Sequence, residues 1–152
     1  MVDTVYSQQG MEESLKSFVQ WVNLDYPDCI MAKLAPEFVS CDFAKKEVVL
    51  CFPVLEWMRS PGGVMHGGAV AAAIDTAMAT QGYYWTGSRT PVVNLNCSFL
   101  HKVPVGSMLY VRARVLNAGR TTLYATAEAW VDGAPEQIVV SATGVYHISK
   151  KS

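Results

Sequence analysis

The chain has 152 residues, of which 51% are hydrophobic and only 16% charged. A single domain suffices at this length, since it buries roughly two-thirds of its unfolded surface, and a net charge of −1 leaves no basic field for a polyanion such as nucleic acid. So few charges leave more apolar surface than one small globule can hide, which predicts a homo-oligomer.

The opening residues MVDTVYSQQG contain an early acid and no apolar core of signal-peptide length, so a cytoplasmic location is expected. Met11, Leu15, Phe18, Val19 and Val22 then recur at helical spacing and predict an amphipathic helix over 11–24, ended by Tyr26, Pro27 and Asp28. Extended segments are expected near 30–42 and 47–54, with AKKE at 44–47 as the turn between them. Pro61, Gly62 and Gly63 break the chain, and an alanine-rich stretch over 67–85 has the propensity for a long central helix.

Past Pro91 the pattern changes to strands, in the order PVVNLNCSFL, MLYVRARVL, TTLYATAEAWV and EQIVVSATGVYHI. The middle two alternate apolar and polar residues, as half-buried strands do, and Asn117 to Gly119 and Asp132-Gly133 supply turns. Helix, two strands, long helix and four strands, joined by short connections, make an α+β fold with an antiparallel sheet. The helix over 67–85 has no charged face, so it must be covered on most sides, as by a curved sheet wrapped around it. Residues 1–152 read as one domain, of which 1–25 form an N-terminal tail and helix.

Cys29, Cys41, Cys51 and Cys97 include no CxxC pair and no histidine at metal-ligand spacing, so free buried thiols and no metal site are expected. The run from Gly67 to Trp85 approaches membrane-spanning length, but Asp75 and Gln81 within it argue against insertion.

Between Arg59 and Arg89, Asp75 is the only carboxylate, and His66 the only other group able to carry charge at neutral pH. An ionised carboxylate in apolar surroundings is costly unless paired or hydrogen-bonded, and such groups often serve as bases or nucleophiles. The alternative role is to cap a loop or pair with an arginine. At 66–68, His-Gly-Gly precedes the helix, where unpaired N–H groups and the helix dipole favour a partial negative charge such as a developing oxyanion. Glycines there admit a ligand close to the backbone, although they are also ordinary punctuation before a helix. Gly67 and Asp75 are eight residues apart, about 12 Å along a helix, whereas an attacking atom must come within roughly 3 to 3.5 Å of its target. If the two act together, the aspartate must therefore come from a second chain, as two antiparallel helices about a twofold axis would arrange.

The string GGVMHGGAVAAAIDTAMA, with PVVNLNCSFLHKVPVG, a strand ending in NAGR and a final ATGVYHI, resembles the hotdog-fold acyl-CoA thioesterases, in particular their phenylacetyl-CoA (PaaI-like) branch. The resemblance spans about residues 40–148 and rests on HGG, an aspartate nine residues after the histidine, a strand leading to proline and glycine, and Gly-Arg at a hairpin. It implies a sheet of about six antiparallel strands around the central helix, and a dimer or tetramer with the active site between subunits. Asp75 would then be the nucleophile or general base, the Gly67 N–H would bind the thioester oxygen, and His66 would orient the thioester or the acid, with Gly68 beside them. No cofactor is implied beyond the coenzyme A that the acyl-CoA substrate carries.

Two positions depart from that pattern. Ser60 stands where many members have asparagine, and Val92 where many have serine or threonine. Asn94 and Asn96, which share Val92's face by strand alternation, or else Thr90, are the candidate substitutes. Arg120, Lys102 and Arg89 are candidates to meet the phosphates of coenzyme A. Trp57, Tyr83, Tyr84 and Trp85 either line an acyl pocket or serve core and interface packing. The alternative on the same fold is a non-catalytic acyl-CoA-binding module, and a hydratase ranks last.

Overall fold

Ser7 opens the first helix, its hydroxyl oxygen accepting from the Gly10 N–H. The architecture is that of a computed structural model describing residues 6–149, so the expected N-terminal tail before Tyr6 lies outside the described residues. Helix α1 (Gln8–Asp25) buries Met11, Leu15, Val19 and Val22 of the stripe its periodicity predicts and leaves Phe18 half-buried.

The segment after it departs from expectation. Residues 30–33 form one turn of helix, α2 (Ile30–Lys33), rather than the start of a strand, with the Cys29 sulfur accepting from the Ala32 N–H at 3.4 Å. Ile-Met-Ala-Lys is a short run of mostly good helix formers, too short for periodicity to separate helix from strand. Ala35, at φ 51°, turns the chain into β1 (Glu37–Asp42). Glu47 belongs to β2 (Glu47–Pro53) rather than to the turn, and Lys46 supplies the positive φ of 53° that closes the hairpin.

A short 3-10 turn (Glu56–Met58) leads to a tight loop in which the Ser60 N–H bonds the Val64 carbonyl at 2.7 Å. The central helix α3 (Gly67–Thr86) ends at Gly87, whose φ of 61° is the left-handed conformation of a helix stop. The strands β3 (Val92–Phe99), β4 (Met108–Ala118), β5 (Thr122–Val131) and β6 (Val140–His147) follow. The last begins four residues later than its sequence suggests, because Ala134 and Gln137 form turns with N–H bonds to Val131 and Ala134.

All pairings are antiparallel, and the six-stranded sheet runs β1-β2-β4-β5-β6-β3, so β3 is an edge. This is the α+β architecture expected, a curved sheet around a long helix. The inner faces of β4 and β5 carry Val111, Ala113, Ala125, Ala127 and Ala129, all buried, and α3 meets them with Ala73, Ile74, Ala77 and Met78. Small side chains on both partners let the helix lie close to the sheet. The side of α3 turned away keeps a stripe of partly or fully exposed positions at Gly68, Ala72, Asp75, Ala79 and Tyr83. On the β3 edge and just beyond it, Val93 and Phe99 are 67% and 53% exposed, with Val92 and Leu100 beside them.

The four cysteines are free, but only Cys51 is buried; Cys29, Cys41 and Cys97 are half-buried, a correction to the expected burial. Among the described residues no helix is long and apolar enough to cross a membrane.

Candidate active site at the start of the central helix

His66 is the N-cap of α3. Its Nδ1 accepts the Gly68 N–H at 2.9 Å, and its carbonyl accepts the N–H groups of Ala69 and Val70 at 2.9 and 3.0 Å. Of the first four N–H groups of the helix, only that of Gly67 has no hydrogen-bond partner among the described residues. An unpaired donor at the positive end of a helix dipole is a place for negative charge.

The two glycines are needed for different reasons. A Cβ on Gly68 would stand 3.0 Å from His66 Nδ1, so a side chain there would push the imidazole off its cap. A Cβ on Gly67 would meet only the Phe99 ring, at 3.7 Å, which is ordinary contact. An acceptor at Nδ1 also fixes the tautomer: a neutral His66 carries its proton on Nε2.

A little over two turns along the same helix, Asp75 is half-buried, and its Oδ1 accepts a hydrogen bond of 2.9 Å from the Tyr146 hydroxyl of β6. Its partner is thus a phenol, neither a loop nor an arginine. Burial pushes the Asp75 carboxyl above the usual carboxylate range, and the hydrogen bond from Tyr146 opposes that shift. Tyr146 is wholly buried, and burial, with the neighbouring carboxylate, pushes its phenol up, so it stays a proton donor at ordinary pH. Cys97 of β3 shares this inner face, and burial and the same carboxylate push its thiol up.

Tyr146 was not singled out from the sequence, and Cys97 was named there only as a free thiol. A signal for Tyr146 did exist: alternation in β6 puts Ala142, Gly144 and Tyr146 on the inner face, and a buried phenol needs a polar partner.

The remaining candidates are scattered. Ser60 is half-buried in the loop before the helix, where its carbonyl accepts the Gly63 N–H at 2.9 Å. Asn94 and Asn96 do not share Val92's face. A bulge shifts the β3–β6 register between Val92, opposite Tyr146, and Asn94, opposite Val145, so both asparagines lie on the face turned away from α3 and are exposed. Thr90 is buried with its hydroxyl on the Ala79 carbonyl at 3.4 Å, which commits it to the helix backbone. Arg89 and Arg120 are exposed at the end of the sheet where β3 begins and the β4–β5 hairpin turns, whereas Gly67 lies against Phe99 at the other end of β3.

Tyr83 stacks on Phe18, and Trp85 packs on Phe43, with ring centroids 4.9 and 5.2 Å apart, so these aromatics fasten the far end of α3. Two cavities flank the helix start. One of about 860 Å³ is lined by Gly67, Val70, Phe99, Lys102 and Val139 among others. The other, of about 450 Å³, is lined by Leu34, Trp57, Met58, His66, Gly68 and Ala72 among others. Among the described residues no cluster of three or more His, Cys, Asp or Glu side chains could hold a metal ion.

Residues 62–137 match the family model of the thioesterase superfamily. No curated protein matches the chain in sequence. Among solved structures it is similar to zebrafish thioesterase superfamily member 2, at 21% identity and a TM-score of 0.73, over 94% of this chain and 99% of that one. The Escherichia coli PaaI protein of the phenylacetic acid degradation operon is 22% identical with a TM-score of 0.72, over 90% and 98% of the two chains. A Streptococcus mutans protein bound to acetyl-CoA is 20% identical with a TM-score of 0.68, over 76% and 90%. At these identities the three structures show a shared fold.

Proposed function

The chain belongs to the thioesterase superfamily and is a thioester hydrolase, and from that premise we propose that it hydrolyses an acyl-CoA, in the manner of the PaaI-like branch, at a site shared by two copies. The observation that carries this reading is the free N–H of Gly67, a residue that lines one of the two cavities flanking the helix start. A thioester has two arms, an acyl group and the long pantetheine of coenzyme A, and cavities on both sides of the helix start suit such a molecule.

In this mechanism the Gly67 N–H donates to the thioester carbonyl oxygen and stabilises the negative charge that develops there. Asp75 of a second copy then attacks the carbonyl carbon, or takes a proton from the water that does. The C–S bond breaks and coenzyme A leaves as the thiolate; where the carboxylate has attacked, water then cleaves the acyl–aspartate anhydride, and on either route water supplies the new oxygen of the carboxylic acid product. His66 acts through the backbone, by holding the first turn in shape. No cofactor is required beyond the coenzyme A of the substrate.

A second copy is needed because the aspartate sits about 12 Å of helical rise from Gly67 on its own chain. Exposed Val92, Val93 and Phe99 on an edge strand, with Leu100 next to them, are a surface such a copy would cover. An antiparallel copy would bring the Arg89 and Arg120 end of one protomer towards the Gly67 and Lys102 end of the other, where basic groups suit the phosphates of coenzyme A.

The test is thiol release from a panel of short, medium and aromatic acyl-CoAs by the wild type and Asp75→Asn. Turnover is expected to fall at least about a hundredfold in the variant, as when a positioned base or nucleophile is removed. Equal rates would remove Asp75 from the mechanism, and tight acyl-CoA binding by a wild type that releases no thiol would favour a binding module.

A further inference from the structure

We infer that Tyr146 is a positioning residue for Asp75: its hydroxyl holds Oδ1 of the carboxylate at 2.9 Å and so leaves Oδ2 as the oxygen that reacts. The inference rests on the role proposed for Asp75 and adds to it a fixed orientation and a named reacting atom. Oδ2 has no hydrogen-bond partner among the described residues, and the aspartate is half-buried rather than enclosed.

Several features show a built contact. Tyr146 is 0% exposed, so its phenol has left water, and the carboxylate oxygen is its hydrogen-bond partner. The ring reaches the helix by lying over Gly144, two residues back on the same face of β6. A Cβ on Gly144 would stand 2.6 Å from Tyr146 Cε2 and 2.8 Å from Met78 Sδ, too close for either to stay. The missing side chain is what lets a tyrosine lie between strand and helix.

The contact joins residues 71 apart in sequence, which ties the last strand to the middle of α3. A carboxylate held at one oxygen keeps less torsional freedom, and restricted freedom of an attacking group lowers the entropy lost on reaching the transition state.

The titratable groups facing Asp75 are few. Tyr146 comes from β6 and Cys97 from β3, and both are neutral at ordinary pH, since burial and the carboxylate raise each. From β2, β4, β5 and α1 the buried side chains turned to the core are apolar. Lys33, which ends α2, together with Arg59 and His66 lines the smaller cavity, which reaches Ala72, one turn before Asp75.

The hydrogen bond favours the ionised acid, so its removal raises the pH at which Asp75 ionises and moves the acidic limb of kcat/KM upward. Tyr146→Phe keeps the ring and deletes only the hydroxyl. The expected result is an acidic limb moved up by about one pH unit, a kcat lowered about tenfold at neutral pH and a KM nearly unchanged. Carbon-13 NMR titration of the Asp75 carboxyl in both proteins reads the same shift without reference to activity.

A loss of thermal stability with an unmoved limb and an unmoved carboxyl titration would make Tyr146 a packing residue and overturn the inference. If Tyr146→Phe does not fold, replacing all tyrosines with 3-fluorotyrosine makes the phenol a stronger donor and should move the limb and the titration downward; no movement overturns the inference equally. Asp75→Asn separates the two readings. Full activity in that variant would overturn the mechanism itself, whereas an inactive Asp75→Asn beside an unmoved Tyr146→Phe limb would overturn only the role of Tyr146.

Discussion

Replacing His66 distinguishes a helix cap from a group that acts on substrate. The imidazole holds one backbone donor, the Gly68 N–H at 2.9 Å, and the residue itself is exposed. His66→Ala deletes that acceptor and should cost about 1 kcal/mol, the usual loss for an N-cap side chain. For a chain of this length that lowers Tm by about 2–4 °C. His66→Asn is the control, because asparagine is among the best N-cap residues and can accept the same N–H, so it should keep most of the stability. Gly67 keeps its free N–H in both, so kcat for thiol release should fall less than about tenfold in His66→Ala and hardly at all in His66→Asn. Urea unfolding and steady-state kinetics on the same preparations give both quantities. A stable His66→Asn protein with a hundredfold lower kcat would refute this reasoning, since it would mean that the imidazole itself meets the thioester.

Two further expectations follow from the burial of Asp75 and from the β3 edge. A carboxyl whose pKa is raised on folding favours the native state below its unfolded value, and that contribution is lost as pH rises through the folded value; Asp75→Asn should therefore be more stable than the wild type at neutral pH, with the difference shrinking toward the ordinary carboxylate value in acid unfolding series. Val93→Lys puts a charge at a position 67% exposed on the edge strand, so sedimentation should show smaller assemblies together with lost turnover; an unchanged assembly with full activity would place the seam elsewhere.

The elements that could be read from the sequence are those whose burial repeats at a fixed period. Met11, Leu15, Val19 and Val22 gave α1, and the alternation in LYVRARV and LYATAEAWV gave β4 and β5 with the correct inward faces. Alanine at Ala73 and Ala77 marked α3 by propensity, and its lack of a charged face indicated that a sheet would cover it. α2 escaped because a single turn has no period to detect. The bulge at Val93 escaped because it inserts no glycine and leaves the string VVNLN unremarkable, yet one extra residue turns Asn94 and Asn96 to the other face. In the candidate site, Gly67, Gly68 and His66 were visible because they are neighbours in sequence. The bond from Tyr146 to Asp75 was not, because it depends on which inward position of β6 lies over which turn of α3, a matter of packing distance.

Gly67 and Asp75 share one rigid helix yet, on the proposed reading, serve different substrate molecules. A lone protomer then has a finished core and no working centre, so specific activity falls as the protein is diluted below the point where copies stay paired. On that reading expression level would act as a throttle, and a cell making little of this chain would carry disproportionately less of its activity.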